Sequence, residues 1–113
     1  MNLETSHTRG VAVLRVDEPR LTYPMLSEFS AAAVALIGGD DRRLLVDLSR
    51  VTYVDSAAIG CLMDLYRQAL AQGVPMKLAG VQKRVETMLT MTGVQNFLEV
   101  YADEASAIAS FGV

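Results

Sequence analysis

Cysteine occurs once in the 113 residues, as Cys61, so no internal disulfide can form and a reducing cytosol is the expected setting. Histidine also occurs once, as His7 in a polar stretch, and the chain offers no set of His, Cys and carboxylate ligands at the fixed spacing a metal needs. Basic residues are not in excess: ten Lys and Arg stand against thirteen Asp and Glu, a formal net charge of −3, which argues against a nucleic-acid surface. Long apolar runs are missing too. The longest, Ala31 to Ile37, is far short of a membrane span, and the polar N-terminal MNLETSHTRG lacks the apolar core of a signal peptide. There is no glycine-rich phosphate loop, because Gly38-Gly39 has no GxxxxGK[ST] pattern around it. Repeats, linkers and low-complexity segments are absent. These absences predict a soluble, cytoplasmic protein without a cofactor, a membrane segment or a nucleic-acid partner.

What the chain does have is apolar residues in short, patterned stretches. Hydrophobic residues make up 51% and charged residues 20%, enough for a packed core, and the length fits one domain over residues 1–113. Leu3 to Thr8 is a weak strand candidate, Arg9-Gly10 a turn, and Val11 to Val16 a better strand, so the two can pair as a hairpin. Pro24 suits the first turn of a helix carrying Met25, Phe29, Ala32, Ala33, Leu36 and Ile37, which Gly38-Gly39 stops. A third strand begins at Leu44. A helix follows from Ser56 to about Gln72, with Gly73 as its cap, and Ile59, Leu62, Met63, Tyr66 and Leu70 spaced as its inner face. Met76, Leu78 and Ala79 give another strand. Val81, Val85, Met88, Leu89 and Thr92 give a helix ended by Gly93. Phe97, Leu98 and Val100 give a last strand, and Asp103 caps a final helix carrying Ala107, Ile108 and Phe111. Strands alternating with helices from Leu44 onward predict a parallel sheet, with the hairpin as an antiparallel edge.

The stretch from Leu44 to Gly60, LLVDLSRVTYVDSAAIG, holds the chemistry. An apolar run ends at Asp47-Leu48, a loop leads to Asp55-Ser56, and the helical period starts there. Asp55 and Ser56 are both good N-cap residues, since their oxygens accept from the unpaired amides of a first turn. A hydroxyl at Ser56 would also lie at the positive end of the helix dipole. Asp47 reads as an acceptor for nearby loop amides, and Cys61 as a small packing residue. Met25, Met63 and Met88 read as core, although Met88 and Met91 could add an adaptable surface for a partner. Ser56 as an enzymatic nucleophile lacks a general base near it in sequence, so no enzyme is expected.

This segment resembles the signature of STAS-domain proteins, in particular the bacterial anti-sigma factor antagonists, whose pattern is Asp-Ser-Ser/Thr-Gly-Leu/Ile-Gly. Here it reads Asp55-Ser56-Ala57-Ala58-Ile59-Gly60, with alanine in place of the second hydroxyl and of the glycine. The resemblance implies a STAS fold of the α/β class: a mixed, mostly parallel central sheet with an N-terminal antiparallel hairpin and about four helices. It implies that Ser56 is phosphorylated by a partner serine kinase, that Asp55 to Gly60 form the partner surface, and that Asp55 can orient the Ser56 hydroxyl. The unphosphorylated chain would capture an anti-sigma factor, itself the kinase and the source of ATP and Mg²⁺, and so release the sigma factor. A phosphatase would reset the switch. Restoring glycine at position 58 would ease the kinase's approach. The alternative is a non-switching STAS scaffold or transporter accessory subunit, in which the same loop and helix hold a partner permanently.

Overall fold

Residues 1–112 are described by the computed structural model. In chain order its elements are β1 (Leu3–Thr8), β2 (Val11–Val16), β3 (Arg20–Leu21), α1 (Leu26–Ile37), β4 (Leu44–Asp47), β5 (Tyr53–Val54), α2 (Ser56–Ala71), β6 (Met76–Ala79), α3 (Lys83–Thr92), β7 (Val100–Tyr101) and α4 (Glu104–Ser110). Short 3₁₀ turns at Tyr23–Met25 and Val94–Asn96 precede α1 and follow α3. Five strands form one sheet in the order β1-β2-β4-β6-β7. β1 runs antiparallel to β2, and the remaining neighbours are parallel. The antiparallel hairpin turns at Arg9 and Gly10, both at positive φ (53° and 78°), as a tight hairpin turn requires.

The near-continuous apolar sequence of β2 and β4 follows from burial on both faces. Ala12, Leu14, Val16, Leu44 and Val46 join the main core under α1, α2 and α3. Val11, Val13 and Leu45 face the other way, into a smaller core with Ala107 and Ile108 of α4. Lys77 closes that smaller core. Its Nζ lies 4.5 Å from the Phe111 ring centroid and donates to Ser110 Oγ at 2.9 Å.

The sheet's C-terminal edge needs one close approach. Gly80 has φ +71°, and a Cβ there would lie 2.7 Å from the Ser49 Cβ and 3.1 Å from Asp47 Oδ1. Only glycine lets the end of β6 pass so near the loop after β4. That loop carries β5, which pairs in parallel with β3 as a separate two-stranded sheet and leads into α2.

Five expectations are corrected. Val81 lies two residues before α3, which starts at Lys83. Pro24 lies in the 3₁₀ turn, and α1 starts two residues later. Tyr53-Val54 is a strand, although two residues give no periodicity to read. The last strand is only Val100-Tyr101: the turn after Gly93 continues through Phe97, which is left 57% exposed. In α2 the buried positions are Ala58, Ile59, Leu62, Leu65 and Ala69. The larger Met63 and Tyr66 lie at the margin of the core and Leu70 is exposed. The buried stripe thus runs through Ala58, Leu62, Leu65 and Ala69, and Met63, Tyr66 and Leu70 lie on its flank.

Candidate functional site

The site is built on the β5–α2 junction. Asp55 adopts an extended backbone as the N-cap of α2, and its Oδ1 accepts from the Ala58 amide at 2.8 Å. Its Oδ2 accepts from the Tyr23 amide at 2.9 Å, which ties the loop before α1 to the start of α2. Both carboxylate oxygens are thus used by backbone amides. Asp55 is the cap and a clasp between two loops, and no hydrogen bond links it to the Ser56 hydroxyl among the described residues.

Ser56 is therefore the first helical residue, not the cap, and it is exposed. Its hydroxyl has no protein partner among the described residues, and neither do the amides of Ser56 and Ala57. A small free nucleophile thus sits at a helix N-terminus whose open amides and dipole favour an anion.

The neighbours differ in what they can offer. Ala57 is half-buried and Gly60 is exposed, one turn along from Ser56. A Cβ built at Gly60 meets nothing within 4 Å, so packing does not require glycine there. Ile59 is nearly buried, and Ala58 is fully buried with its methyl in the main core. A partner therefore cannot touch the Ala58 side chain directly. Ala58 also has ordinary helical geometry, since the non-glycine residues at positive φ are Arg9 and Arg42. The steric case for glycine at this position accordingly finds no support in the backbone.

Beside Ser56 lies a groove of about 170 Å³ lined by Ser56, Ile59, Met88, Met91 and Thr92. Its far wall is α3, whose Val85 and Leu89 are buried in the core, whose Met88 is half-buried against it, and whose Met91 is exposed. Cys61, half-buried one turn into α2, packs against the core, and burial pushes its thiol up, with the Asp64 charge adding to the effect. A reactive thiolate is disfavoured there. His7 pairs with Asp41 at the opposite end of the molecule from the α2 N-terminus. Among the described residues no group of three or more His, Cys, Asp or Glu could hold a metal. No described helix is long and apolar enough to cross a membrane.

Asp47 points away from this site, to the α4 side of the sheet. It is 8% exposed, and its Oδ1 accepts from the Ser49 amide at 2.8 Å. Next to it Arg15 makes a bidentate pair with Glu104 (Nε to Oε2 2.6 Å, Nη2 to Oε1 2.8 Å). Burial, then hydrogen bonding with Glu104, pushes the Asp47 carboxyl up, while Arg15 holds Glu104 down. Sequence reasoning overlooked this cluster. The visible signal was an arginine in the otherwise apolar VAVLRV strand.

The STAS domain profile matches residues 2–107, and the chain belongs to that family. An anti-sigma F factor antagonist from Paenibacillus polymyxa is 20% identical over all of this chain and 97% of its own length. A probable sulfate transporter 4.2 from Arabidopsis thaliana is 28% identical over 75% of this chain, which spans only 14% of that protein. Among solved structures, an anti-sigma-factor antagonist (STAS) domain protein from Planctomyces limnophilus superposes with a TM-score of 0.89 at 17% identity, over 98% of each chain. The Bacillus cell fate determinant SpoIIAA in its phosphorylated form superposes with a TM-score of 0.74 at 18% identity, over 97% of this chain and 99% of that one.

Proposed function

We propose that this chain is an anti-sigma factor antagonist working by partner switching. Unphosphorylated, it binds an anti-sigma factor that is also a serine kinase, and the sigma factor is released. Phosphorylation of Ser56 by that kinase, with its own ATP and Mg²⁺, ends the binding, and a phosphatase restores it. The observation that carries this reading is the exposed, unbonded Ser56 hydroxyl on the first turn of α2, beside a methionine-lined groove. The antagonist named above, similar over its whole length, supports it. So does the sharing of this fold by a protein whose structure is known in a phosphorylated form.

The switch follows from electrostatics. A phosphoryl group adds about −1.5 to −2 charges at neutral pH. The α2 N-terminus tolerates that charge, so the fold changes little. At a partner interface the dianion and the neighbouring Asp55 carboxylate would be buried together, and an uncompensated buried charge costs several kcal/mol. About 1.4 kcal/mol is already tenfold in affinity, so a loss of at least a hundredfold is expected. Titration calorimetry of unmodified, phosphorylated, Ser56→Asp and Ser56→Ala protein against the kinase tests this. Ser56→Asp should lose part of the affinity, and Ser56→Ala should bind and escape inactivation. Equal binding by the phosphorylated form would replace the switch with a permanent scaffold.

A further inference from the structure

The groove at Ser56 does not end there. Along α2, Met63, Tyr66 and Leu70 follow one another at helical spacing on the flank beside the buried stripe, and Ile59, 6% exposed, joins that flank to the Ser56 groove. Opposite them stand Met91, near Ile59, and Phe97, whose ring centroid is 6.4 Å from that of Tyr66. Met91, Leu70 and Phe97 are 81%, 63% and 57% exposed, and they make up most of the large exposed apolar side chains among the described residues. From Ser56 to Leu70 the band is about 21 Å long at 1.5 Å per residue. Apolar exposure on this scale beside polar rims marks an interaction surface.

Charge distinguishes its two ends. Around β5, which leads into Ser56, Arg50 is paired with Asp17 at 3.5 Å, and three further cations stand without such a partner among the described residues. Arg20 lies opposite Tyr53 in register, its guanidinium carbon 4.5 Å from the ring centroid. Lys83 and Arg84 open α3, which is anchored there by Gln82 Nε2 donating to the Ser49 carbonyl at 2.7 Å. None of the three forms an ion pair among the described residues. Asp55 is occupied by two amides, and Glu86 lines a different depression with Glu99. Toward Leu70 the charges cancel, Asp64 against Arg67 at 3.1 Å, and Gln95 and Asn96 are neutral.

We infer that this band seats an amphipathic helix of the partner, about four turns long, whose apolar stripe lies along Ile59, Tyr66, Phe97 and Leu70 and whose acidic end meets Arg20, Lys83 and Arg84 beside Ser56. The inference rests on the reading of the Ser56 end as a partner surface. A helix laid along this band would present its own apolar side chains at i, i+4 and i+7 to it, and the methionines let the walls adapt. A second copy of this chain fits worse. An isologous contact would set the basic end against itself or against the uncharged Leu70 end, and no charge would be paired. The inference also gives phosphorylation a target: a dianion on Ser56 would compete for the cations that hold the partner's acidic end.

The test is an NMR titration of ¹⁵N-labelled protein with two helix-stapled 16-residue peptides of identical apolar spacing, one with glutamates in a terminal turn and one with lysines there. The acidic peptide should shift the amides of Ile59, Tyr66, Leu70 and Phe97 and bind at least tenfold more tightly than the basic one. Phe97→Ser, at an exposed site, should weaken it at least tenfold, and Lys83→Glu with Arg84→Glu should reverse the charge preference. Equal affinities, shifts mapping elsewhere, or self-association of the free chain through Leu70 and Phe97 in sedimentation would overturn it. Neither kinase nor phosphate takes part. Peptide binding together with a kinase that ignores Ser56 would therefore sink the switch and leave the groove standing.

Discussion

Asp55 does two jobs with one carboxylate. Oδ1 satisfies an amide of the α2 first turn, and Oδ2 holds the Tyr23 amide of a segment 32 residues earlier. Losing a cap costs about 0.5–2 kcal/mol, and here a second amide loses its acceptor as well. Asp55→Ala should therefore lower stability by roughly 1–2 kcal/mol in urea denaturation, and the Tyr23 amide should exchange faster with solvent. Unchanged exchange at Tyr23 would show that the clasp is not formed in solution. Ser56 itself carries no structural burden, so Ser56→Ala should leave the same denaturation midpoint within about 0.5 kcal/mol.

At the scale of elements, α2 separates packing from recognition by its own rotation. Leu62 is fully buried and Leu70 is exposed, although both belong to one helical spacing. Leu62→Ala should cost roughly 2–5 kcal/mol, as buried truncations do, and Leu70→Ala about 0.5 kcal/mol or less. Thermal melts showing the reverse order would mean that α2 is turned the other way. Gly60 is the complementary case, a glycine inside an exposed helix face with open space around it. Gly60→Ala should stabilise the fold by up to about 1 kcal/mol. It should also weaken partner binding in calorimetry if the bare backbone one turn from Ser56 is there for close approach. Stabilisation with no loss of affinity would remove Gly60 from the interface.

Across the whole molecule, Arg15, Asp47 and Glu104 join β2, β4 and α4 through one polar cluster at the edge of the smaller core. The two carboxyls act with opposite sign on stability. Arg15 lowers Glu104, so its contribution is present above the ordinary carboxylate range and is lost as pH falls through the lowered value. Burial raises Asp47, so its favourable contribution belongs to the protonated form, is present at low pH, and is lost as pH rises through the raised value. Asp47→Asn keeps an acceptor for the Ser49 amide and removes the buried charge. It should be at least as stable as the parent at pH 7, and its advantage should shrink as the pH falls through the raised value of Asp47. Glu104→Gln should be destabilised at pH 7 and should converge on the parent as the pH falls through the lowered value of Glu104. Urea midpoints between pH 3 and 8 decide this, and parallel curves for parent and Asp47→Asn would show that burial does not raise the Asp47 carboxyl.

The order of strands and helices, the antiparallel hairpin and the position of Ser56 at a helix start were legible in the sequence. Each rests on local rules: periods of two and 3.6, glycine after a helix, and acidic or hydroxyl residues before one. The four helices follow from those rules, whereas the spatial order β1-β2-β4-β6-β7 was set by the packing of the sheet. Two kinds of fact were decided only by the tertiary structure. One is which of two adjacent apolar stripes on α2 faces the sheet. The stripe through Ala58, Leu62, Leu65 and Ala69 is the buried one, and no count of hydrophobicity favours its alanines over Met63 and Leu70. The other is what meets across long stretches of chain: Asp55 with Tyr23, Arg15 with Glu104, Tyr66 with Phe97. Those partners are set by how the sheet and its covering helices pack, and no pattern along the chain records the distance between them.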